Sequence, residues 1–253
     1  MESYIVLVGT AGSGKTHLAD SFGRWLESMG YSIARVNLDP AAEWLPYPPD
    51  VDVRDYVSAR NVMSEMRLGP NGALIASVDM LVSHVEDLRR DLSGYKVDYF
   101  IVDTPGQMEL FAFRSSGPIV LDALIGRSES VTVFLVDPVF AEKPSSLVSA
   151  LLLSASTYLR LGKPQVNIVS KSDLLLPEVL EFLESPSGDN RLLEELVSRE
   201  DTSDPLLLRM AEVLDETGYS GRLIPVSSET QSGFEQLYYE IQKILRGGED
   251  QVE

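Results

Sequence analysis

The sequence predicts an α/β fold, with a mostly parallel sheet of about six strands and helices on both faces. Apolar runs recur along the chain, and helical patterns separate them. The runs lack a regular apolar–polar alternation, as expected for strands that are covered on both faces. Strands that alternate with helices form parallel sheets with right-handed crossovers. The predicted strands are YIVLVG (4–9), SIARVNLD (32–39), DYFIVD (98–103), VTVFLVD (131–137), VNIVSKSD (166–173) and RLIPVSS (222–228).

Apolar stripes at helical spacing predict helices that pack against this sheet. Two segments do not fit the alternation, the proline-rich residues 40–72 and the acidic residues 177–221, and both are expected to be insertions on the edge or ligand side of the sheet. Residues 1–246 are predicted to form one domain, followed by a disordered tail at 247–253. The stripes are Leu18, Phe22, Trp25, Leu26 and Met29; Leu74, Val78, Leu81, Val85, Leu88 and Leu92; and Phe234, Leu237, Tyr238, Ile241 and Leu245.

Composition and charge exclude several classes of function. The net charge of −18 repels nucleic-acid backbones and anionic membranes, so direct binding to either is not expected. The absence of cysteine excludes disulfides and thiolate metal sites. No apolar run is long enough to span a bilayer, and the amino terminus lacks the basic region of a signal peptide. We therefore expect a cytoplasmic protein, whose anionic ligands need a local source of positive potential.

The segment GTAGSGKT (9–16) supplies that potential. It matches the phosphate-binding loop, or P-loop, and it lies directly between a predicted strand and a predicted helix, which is the context that the motif requires. Glycines let backbone N–H groups close around phosphates, Lys15 reaches the β- and γ-phosphates, and the Thr16 hydroxyl binds Mg²⁺. The fold is thus predicted to be the three-layer P-loop NTPase fold. The predicted phosphate-binding residues are Gly12, Ser13, Gly14, Lys15, Thr16, His17 and Gly106.

Acidic and amide side chains follow two further strands. Asp103 ends the strand of FIVDTPGQ, where a carboxylate holds the Mg²⁺ shell, and the Gly106 N–H faces a γ-phosphate. Gln107 is placed to orient an attacking water. Asp39 ends the second strand in NLDPAAE and is predicted either as a metal or water ligand beside the γ-phosphate or as a helix cap. The predicted metal-binding set is Thr16, Asp39 and Asp103.

The segments SKSD (170–173) and VSSE (226–229) predict a guanine site. The carboxylate of Asp173 is suited to accept hydrogen bonds from guanine N1–H and the exocyclic amine, which adenine does not offer. The stem of Lys171 is expected to lie over the base, and a backbone N–H after the sixth strand is expected to contact guanine O6. The predicted guanine-binding residues are Ser170, Lys171, Asp173 and Ser228.

The motifs GTAGSGKT, NLDPAAE, GPN (69–71), DTPGQ and SKSD occur in the order found in the GPN-loop GTPases, which the chain resembles from about residue 4 to 246. The resemblance implies a homodimer that binds GTP, releases GDP and depends on Mg²⁺. It also implies that Gly69, Pro70 and Asn71 of one subunit complete the partner's site. There the Asn71 amide would face the transferred phosphate, so the predicted catalytic set is Asp39, Asn71 and Gln107.

Three further expectations concern the client, the base selectivity and the alternative functions. It implies a protein client, with RNA polymerase assembly as the example from eukaryotic members. Ser170 stands where the family has Asn or Thr, which is expected to weaken guanine selectivity without abolishing it. Three alternatives remain. One is a MinD-like dimeric ATPase, although this chain lacks its second P-loop lysine, and another is a small-molecule kinase, although this chain lacks its arginine-rich lid. The third is a nucleotide-gated assembly factor with negligible catalysis.

Overall fold

The strands form one parallel sheet. The computed structural model describes residues 2–184, 204–219 and 223–247, and the predicted tail lies outside these residues from position 248 onward. In the described chain the sheet has seven strands in the order β3-β2-β4-β1-β5-β6-β7. The strands are β1 (Ser3–Gly9), β2 (Ile33–Asn37), β3 (Val51–Asp52), β4 (Tyr99–Asp103), β5 (Glu129–Val136), β6 (Gln165–Val169) and β7 (Ile224–Pro225).

Helices cover both faces of the sheet, as predicted. One face carries α1 and α11, and the other carries most of the remaining helices. The described helices are α1 (Lys15–Ser28), α2 (Ala59–Glu65), α3 (Pro70–Leu81), α4 (Val85–Leu92), α5 (Met108–Ala112), α6 (Ser116–Ile125), α7 (Pro138–Ala141), α8 (Pro144–Leu161), α9 (Pro177–Glu184), α10 (Pro205–Glu216) and α11 (Phe234–Leu245).

The central strand β1 shows why the sheet divides the core in two. Tyr4, Val6 and Val8 point into the core under α3, α6 and α8, whereas Ile5 and Leu7 point into the core under α1 and α11. Successive strand side chains point to opposite faces, and here both faces are apolar. The strand is therefore buried along its whole length.

Two details differ from the predicted elements. The two-residue strand β3 was not predicted; it lies inside the 40–72 insertion and pairs with β2 at the edge of the sheet. The stripe from Leu74 to Leu92 belongs to two helices, because a 3₁₀ turn at Val82–His84 separates α3 from α4. Both helices still pack the predicted side chains into one core. Residues 185–203 and 220–221 of the second insertion lie outside the described residues.

The registers align the carboxyl ends of the strands. Asp103 of β4 pairs with Leu7 of β1 and with Asn37 of β2, while Val136 of β5 pairs with Val169 of β6. Ligands bind at this edge in open parallel sheets. No helix in the described part of the chain is long and apolar enough to cross a bilayer.

Candidate nucleotide site

A pocket of about 440 Å³ lies at the carboxyl edge of the sheet, where the predicted motifs converge. Its lining includes six of the predicted phosphate-binding residues as well as predicted metal and base residues. Exposed Trp44, which no motif predicted, stands at its rim with 69 % of its surface accessible. The lining residues are Gly12, Gly14, Lys15, Thr16, His17, Asp39, Trp44, Thr104, Gly106 and Lys171.

The backbone of the P-loop has the shape that its glycines permit. Gly12 and Gly14 have φ angles of 78° and 91°, in the left-handed region that side chains disfavour. Helix α1 begins directly after Gly14 at Lys15, so the first N–H groups of the helix open toward the pocket. Ser13 is fully buried, and its hydroxyl has no hydrogen-bond partner among the described residues.

The Lys15 side chain is held inside the P-loop by hydrogen bonds to backbone carbonyls. Its ammonium donates hydrogen bonds of 2.8 Å to the Gly9 carbonyl and 2.9 Å to the Thr10 carbonyl, and only 4 % of the residue is exposed. Burial lowers the Lys15 pKa to about 8, although Asp103 and Asp39 oppose that shift. A positive charge in so enclosed a position is a strong attractor for phosphate, which accounts for anion binding by a chain of net charge −18.

Asp103 presents one paired and one unpaired oxygen. Its Oδ2 accepts a hydrogen bond of 3.1 Å from the Tyr47 hydroxyl, whereas Oδ1 is buried without a partner among the described residues. Burial raises the pKa of the carboxyl to about 6, and the Thr16 hydroxyl and Lys15 counteract this. A buried carboxylate oxygen beside a threonine hydroxyl suits the Mg²⁺ ion that the family implies. Among the described residues, no group of three or more histidine or acidic side chains is placed to hold a metal ion by itself.

Asp39 lies in a turn and not at the start of a helix, so the predicted helix cap is not found, and its role as a metal or water ligand stays a prediction. Its Oδ1 accepts a 2.9 Å hydrogen bond from the Ala41 N–H, so the side chain caps the turn that follows β2. Its Oδ2 accepts a 3.3 Å hydrogen bond from the Gly106 N–H, the group expected to face a γ-phosphate. Asp39 therefore lies beside the predicted reaction centre while it also shapes its own loop.

The GPN tripeptide opens helix α3 rather than a free loop. Gly69 is the N-cap and Pro70 the first helical residue, and all three residues are exposed. Within the same chain the Gln107 amide donates a 3.3 Å hydrogen bond to the Asn71 side-chain oxygen. The structure thus brings two of the three predicted catalytic residues together, and the contribution of Asn71 to a partner subunit stays a prediction.

A second contact joins α3 to the segment that follows Gln107. Asp79, near the carboxyl end of α3, accepts a 3.1 Å hydrogen bond from the Arg114 guanidinium and another from the Ser116 hydroxyl. Arg114 and Asp79 form an ion pair in which both side chains are 43% exposed. The GPN helix and the segment from 107 to 116 are therefore attached at two points.

The base-recognition segment braces the P-loop through Lys171. Its ammonium donates hydrogen bonds of 2.6 Å to the Gly12 carbonyl and 2.7 Å to the Asp137 carboxylate. Ser170 is buried, and its hydroxyl donates to the Val136 carbonyl at 3.1 Å, which ties β6 to β5. Ser170 therefore stabilises the pairing of strands β5 and β6, while Lys171 contacts the phosphate loop.

Asp173 is exposed at the end of the same segment and is oriented by a residue that the sequence analysis missed. The Ser227 hydroxyl donates to the Asp173 carboxylate and accepts from the backbone N–H groups of Glu229 and Thr230 at 3.2 and 3.1 Å. Ser228, the predicted residue, is half-buried next to it. A tertiary contact such as that between Ser227 and Asp173 leaves no pattern in the sequence. Asp137, which the sequence analysis also missed, was recognisable, because it follows an apolar strand and Asp103 was predicted from such a position at a strand end.

Comparisons with known proteins agree on the family. A family model described as "Conserved hypothetical ATP binding protein" matches residues 7–247. GPN-loop GTPase 3 of Dictyostelium discoideum is 32% identical over 252 residues, which cover 97% of this chain and 87% of that protein. The GPN-loop GTPase PAB0955 of Pyrococcus abyssi is 35% identical over 236 residues, with 92% and 93% covered. The chain belongs to the GPN-loop GTPase family.

The fold comparison supports the same family. The crystal structure of PAB0955, titled a GTPase in apo form, superposes on this GPN-loop GTPase with a TM-score of 0.82 and 32% identity, covering 96% of this chain and 97% of that one. The resemblance, the P-loop NTPase fold and the assignment as a GTPase are thereby confirmed. The individual roles predicted for the site residues are not tested by these comparisons.

Proposed function

We propose that this GPN-loop GTPase is a Mg²⁺-dependent switch that binds GTP, hydrolyses it to GDP and phosphate, and works as a homodimer. The observation that carries the proposal is the convergence of Lys15, Asp39 and Lys171 on one pocket at the carboxyl edge of the sheet. These residues come from three different strand ends, and each matches a separate part of a GTP–Mg²⁺ complex.

Phosphate binding falls to the P-loop and metal binding to two neighbouring side chains. The N–H groups at the start of α1 and the Lys15 ammonium bind the phosphates. Thr16 and Asp103 would hold Mg²⁺, which supplies charge neutralisation for the phosphate oxygens when it is bound. The unpaired Asp103 Oδ1 supports this role, because it is a buried acceptor without another partner among the described residues.

Water activation is assigned to the residues around Gly106. The Gln107 amide orients the attacking water, and Asp39 lies within hydrogen-bond distance of the Gly106 N–H on the same side of the pocket. An incoming γ-phosphate oxygen would compete with Asp39 for that N–H. Such an exchange of partners would free the Asp39 carboxylate to bind water.

The GPN tripeptide is proposed to act across the dimer. Its three residues are exposed at the start of a helix, so a second subunit has access to them. The Asn71 amide, now hydrogen-bonded to Gln107, has donors suited to charge that develops on the transferred phosphoryl group. The fixed φ of Pro70 limits the conformational entropy lost when the segment docks.

Guanine selection is assigned to Asp173, with the stem of Lys171 over the base. Asp173 is exposed and its carboxylate is oriented by Ser227, which leaves acceptor capacity for guanine N1–H and the exocyclic amine. Ser170 is occupied with the Val136 carbonyl, so it adds little to selection. The proposal further places the protein in the cytoplasm, where GTP turnover times the assembly of a client complex, as the family resemblance implies.

Steady-state hydrolysis of GTP and ATP, each with Mg²⁺ and with EDTA, tests the proposal. We expect turnover of GTP with Mg²⁺ and none with EDTA, and we expect ATP turnover to be lower by at least an order of magnitude. Turnover of ATP alone or of both nucleotides equally would contradict the role of Asp173 and favour an ATPase. Tight GTP binding without turnover would favour the assembly factor with negligible catalysis.

A further inference from the structure

A buried tyrosine from the 40–72 insertion reaches the predicted metal site. The Tyr47 hydroxyl donates its 3.1 Å hydrogen bond to Asp103 Oδ2, and the two residues are only 4 % and 1 % exposed. Neither the phosphate motif nor the base motif includes Tyr47. Its ring packs in the core between the sheet and helix α1, so the position of its hydroxyl is well defined.

The insertion holds Tyr47 in place from both ends. After β2 the chain stays against β4, because the Leu38 N–H donates to the Asp103 carbonyl at 2.8 Å. Farther on, the Arg54 guanidinium donates to the Ala42 carbonyl at 2.9 Å and pairs with Asp52 of strand β3. The segment that carries Tyr47 is thus fastened to the sheet before and after the tyrosine.

The hydrogen bond distinguishes the two oxygens of Asp103. Oδ2 is occupied by the phenol, while Oδ1 is buried and unpaired among the described residues. The carboxylate also interacts with the Lys15 ammonium and the Thr16 hydroxyl. Because the phenol of Tyr47 is neutral, its hydrogen bond orients the Asp103 carboxylate without adding a second positive charge beside Lys15, whereas a lysine or arginine at this position would add one.

We propose that Tyr47 is a positioning residue for the Mg²⁺ site, because it fixes the Asp103 carboxylate so that Oδ1 is the oxygen available to the ion and its waters. Arg54 supports this arrangement by anchoring the segment that carries Tyr47. Outer-shell donors of this kind orient metal-binding carboxylates and change metal affinity by about tenfold or more when they are removed. The inference rests on the proposed Mg²⁺-dependent function.

The variant Tyr47→Phe removes the hydroxyl and keeps the ring. The matched control is Tyr99→Phe, which removes a buried hydroxyl at the opposite end of β4, where it accepts a 2.7 Å hydrogen bond from Gln242. The readout is the Mg²⁺ concentration that half-maximally slows the release of fluorescently labelled GDP. We expect this concentration to rise about tenfold in Tyr47→Phe and to stay at the wild-type value in Tyr99→Phe.

Labelled-GDP affinity in EDTA separates positioning from a structural role. We expect the same affinity in EDTA for all three proteins; a loss confined to Tyr47→Phe in EDTA, with an unchanged Mg²⁺ midpoint, would overturn the inference. Arg54→Gln leaves the tyrosine intact and provides a second test, in which an unchanged Mg²⁺ midpoint would also overturn it. If wild-type protein releases GDP at the same rate with Mg²⁺ and with EDTA, the proposed function itself fails, which is a distinct result.

Discussion

The Lys171 ammonium donates a hydrogen bond of 2.6 Å to the carbonyl oxygen of Gly12, 159 positions earlier in the chain. This contact joins the loop that reads the base to the loop that binds the phosphates. The Asp137 carboxylate, 2.7 Å away, keeps the ammonium in that position. The contact therefore links the position of the phosphate loop to that of the base-recognition segment.

Replacing Lys171 with Met should weaken the binding of GTP and GDP alike. The change removes a charge-assisted hydrogen bond to the P-loop, which typically contributes about 1.5–3 kcal/mol, so we expect a loss of roughly tenfold or more in affinity. Lys163→Met is the control, because Lys163 forms a 2.8 Å ion pair with Asp122 outside the pocket. Titration with labelled GDP measures both, and equal affinities for the two variants would refute the bracing role.

Replacing Asn71 with Ala should leave GTP affinity nearly unchanged and lower the turnover number by about a hundredfold, as for other donors to developing charge. The reason is that the amide is expected to act on the transferred phosphate and not on the bound ground state. Asn61→Ala, which changes an exposed asparagine of helix α2, is the matched control. Single-turnover hydrolysis at saturating GTP makes the comparison. Wild-type rates for both variants would mean that the tripeptide only begins helix α3 and has no role in hydrolysis.

A mixture of two inactive variants tests whether Asn71 acts in the partner's site. Lys15→Ala should lose nucleotide affinity but retains Asn71, whereas Asn71→Ala retains the P-loop. If the tripeptide acts across the dimer, a mixed dimer contains one complete site, and mixing should restore part of the turnover. If the activity of the mixture equals the sum of the two separate variants, Asn71 acts within its own subunit, where the Gln107 amide donates a 3.3 Å hydrogen bond to its side-chain oxygen.

The two serines after β7 should differ in their effect on base selection. Ser227 donates to the Asp173 carboxylate, so Ser227→Ala removes the group that orients it and should reduce the ratio of GDP to ADP affinity by about tenfold. Ser228→Ala keeps its backbone N–H, the group expected to contact guanine O6, and should preserve that ratio. Competition of GDP and ADP for the site measures both variants; a larger loss in Ser228→Ala would contradict this assignment.

Asp103 should make stability depend on pH in a predictable direction. Its pKa is raised to about 6 from an ordinary value of 3.8, so the native state holds the proton more tightly than the unfolded chain. The stabilising effect of protonation is present below pH 4 and is lost as the pH rises to about 6. Between pH 5 and 7 the free energy of unfolding should therefore fall by roughly 1 kcal/mol relative to Asp103→Asn.

Denaturant unfolding without nucleotide at the two pH values measures this difference. Asp122→Asn is the control, because its carboxylate is 60% exposed and lies outside the pocket. A wild-type protein that gained stability relative to Asp103→Asn over this interval would contradict the raised pKa.

The sequence predicted the parts of the fold that have a strong local signal. The apolar runs gave the long strands, and the P-loop fixed both the position of α1 and the edge of the sheet that carries the site. Strand β3 has two residues and owes its existence to pairing with β2, which no local pattern in YPPDVDVRD reveals. The 3₁₀ turn at Val82–His84 also escaped prediction, because neither glycine nor proline marks it.

The site residues also divide into those that local motifs predict and those that only the folded structure shows. Lys15, Thr16, Asp103 and Asp173 belong to motifs in which spacing itself carries the chemistry, so they were predictable. Tyr47 and Ser227 act through contacts with residues 56 and 54 positions away, and only the folded chain shows those contacts.

The chain has two tryptophans, and they occupy different surroundings. Trp25 is half-buried and stacks on Phe22 with ring centroids 5.6 Å apart, next to Phe234 and Tyr238. Trp44 stands 69 % exposed at the pocket rim. Because indole emission depends on solvent polarity, Trp44 gives the unlabelled protein a fluorescent probe at the mouth of its nucleotide site.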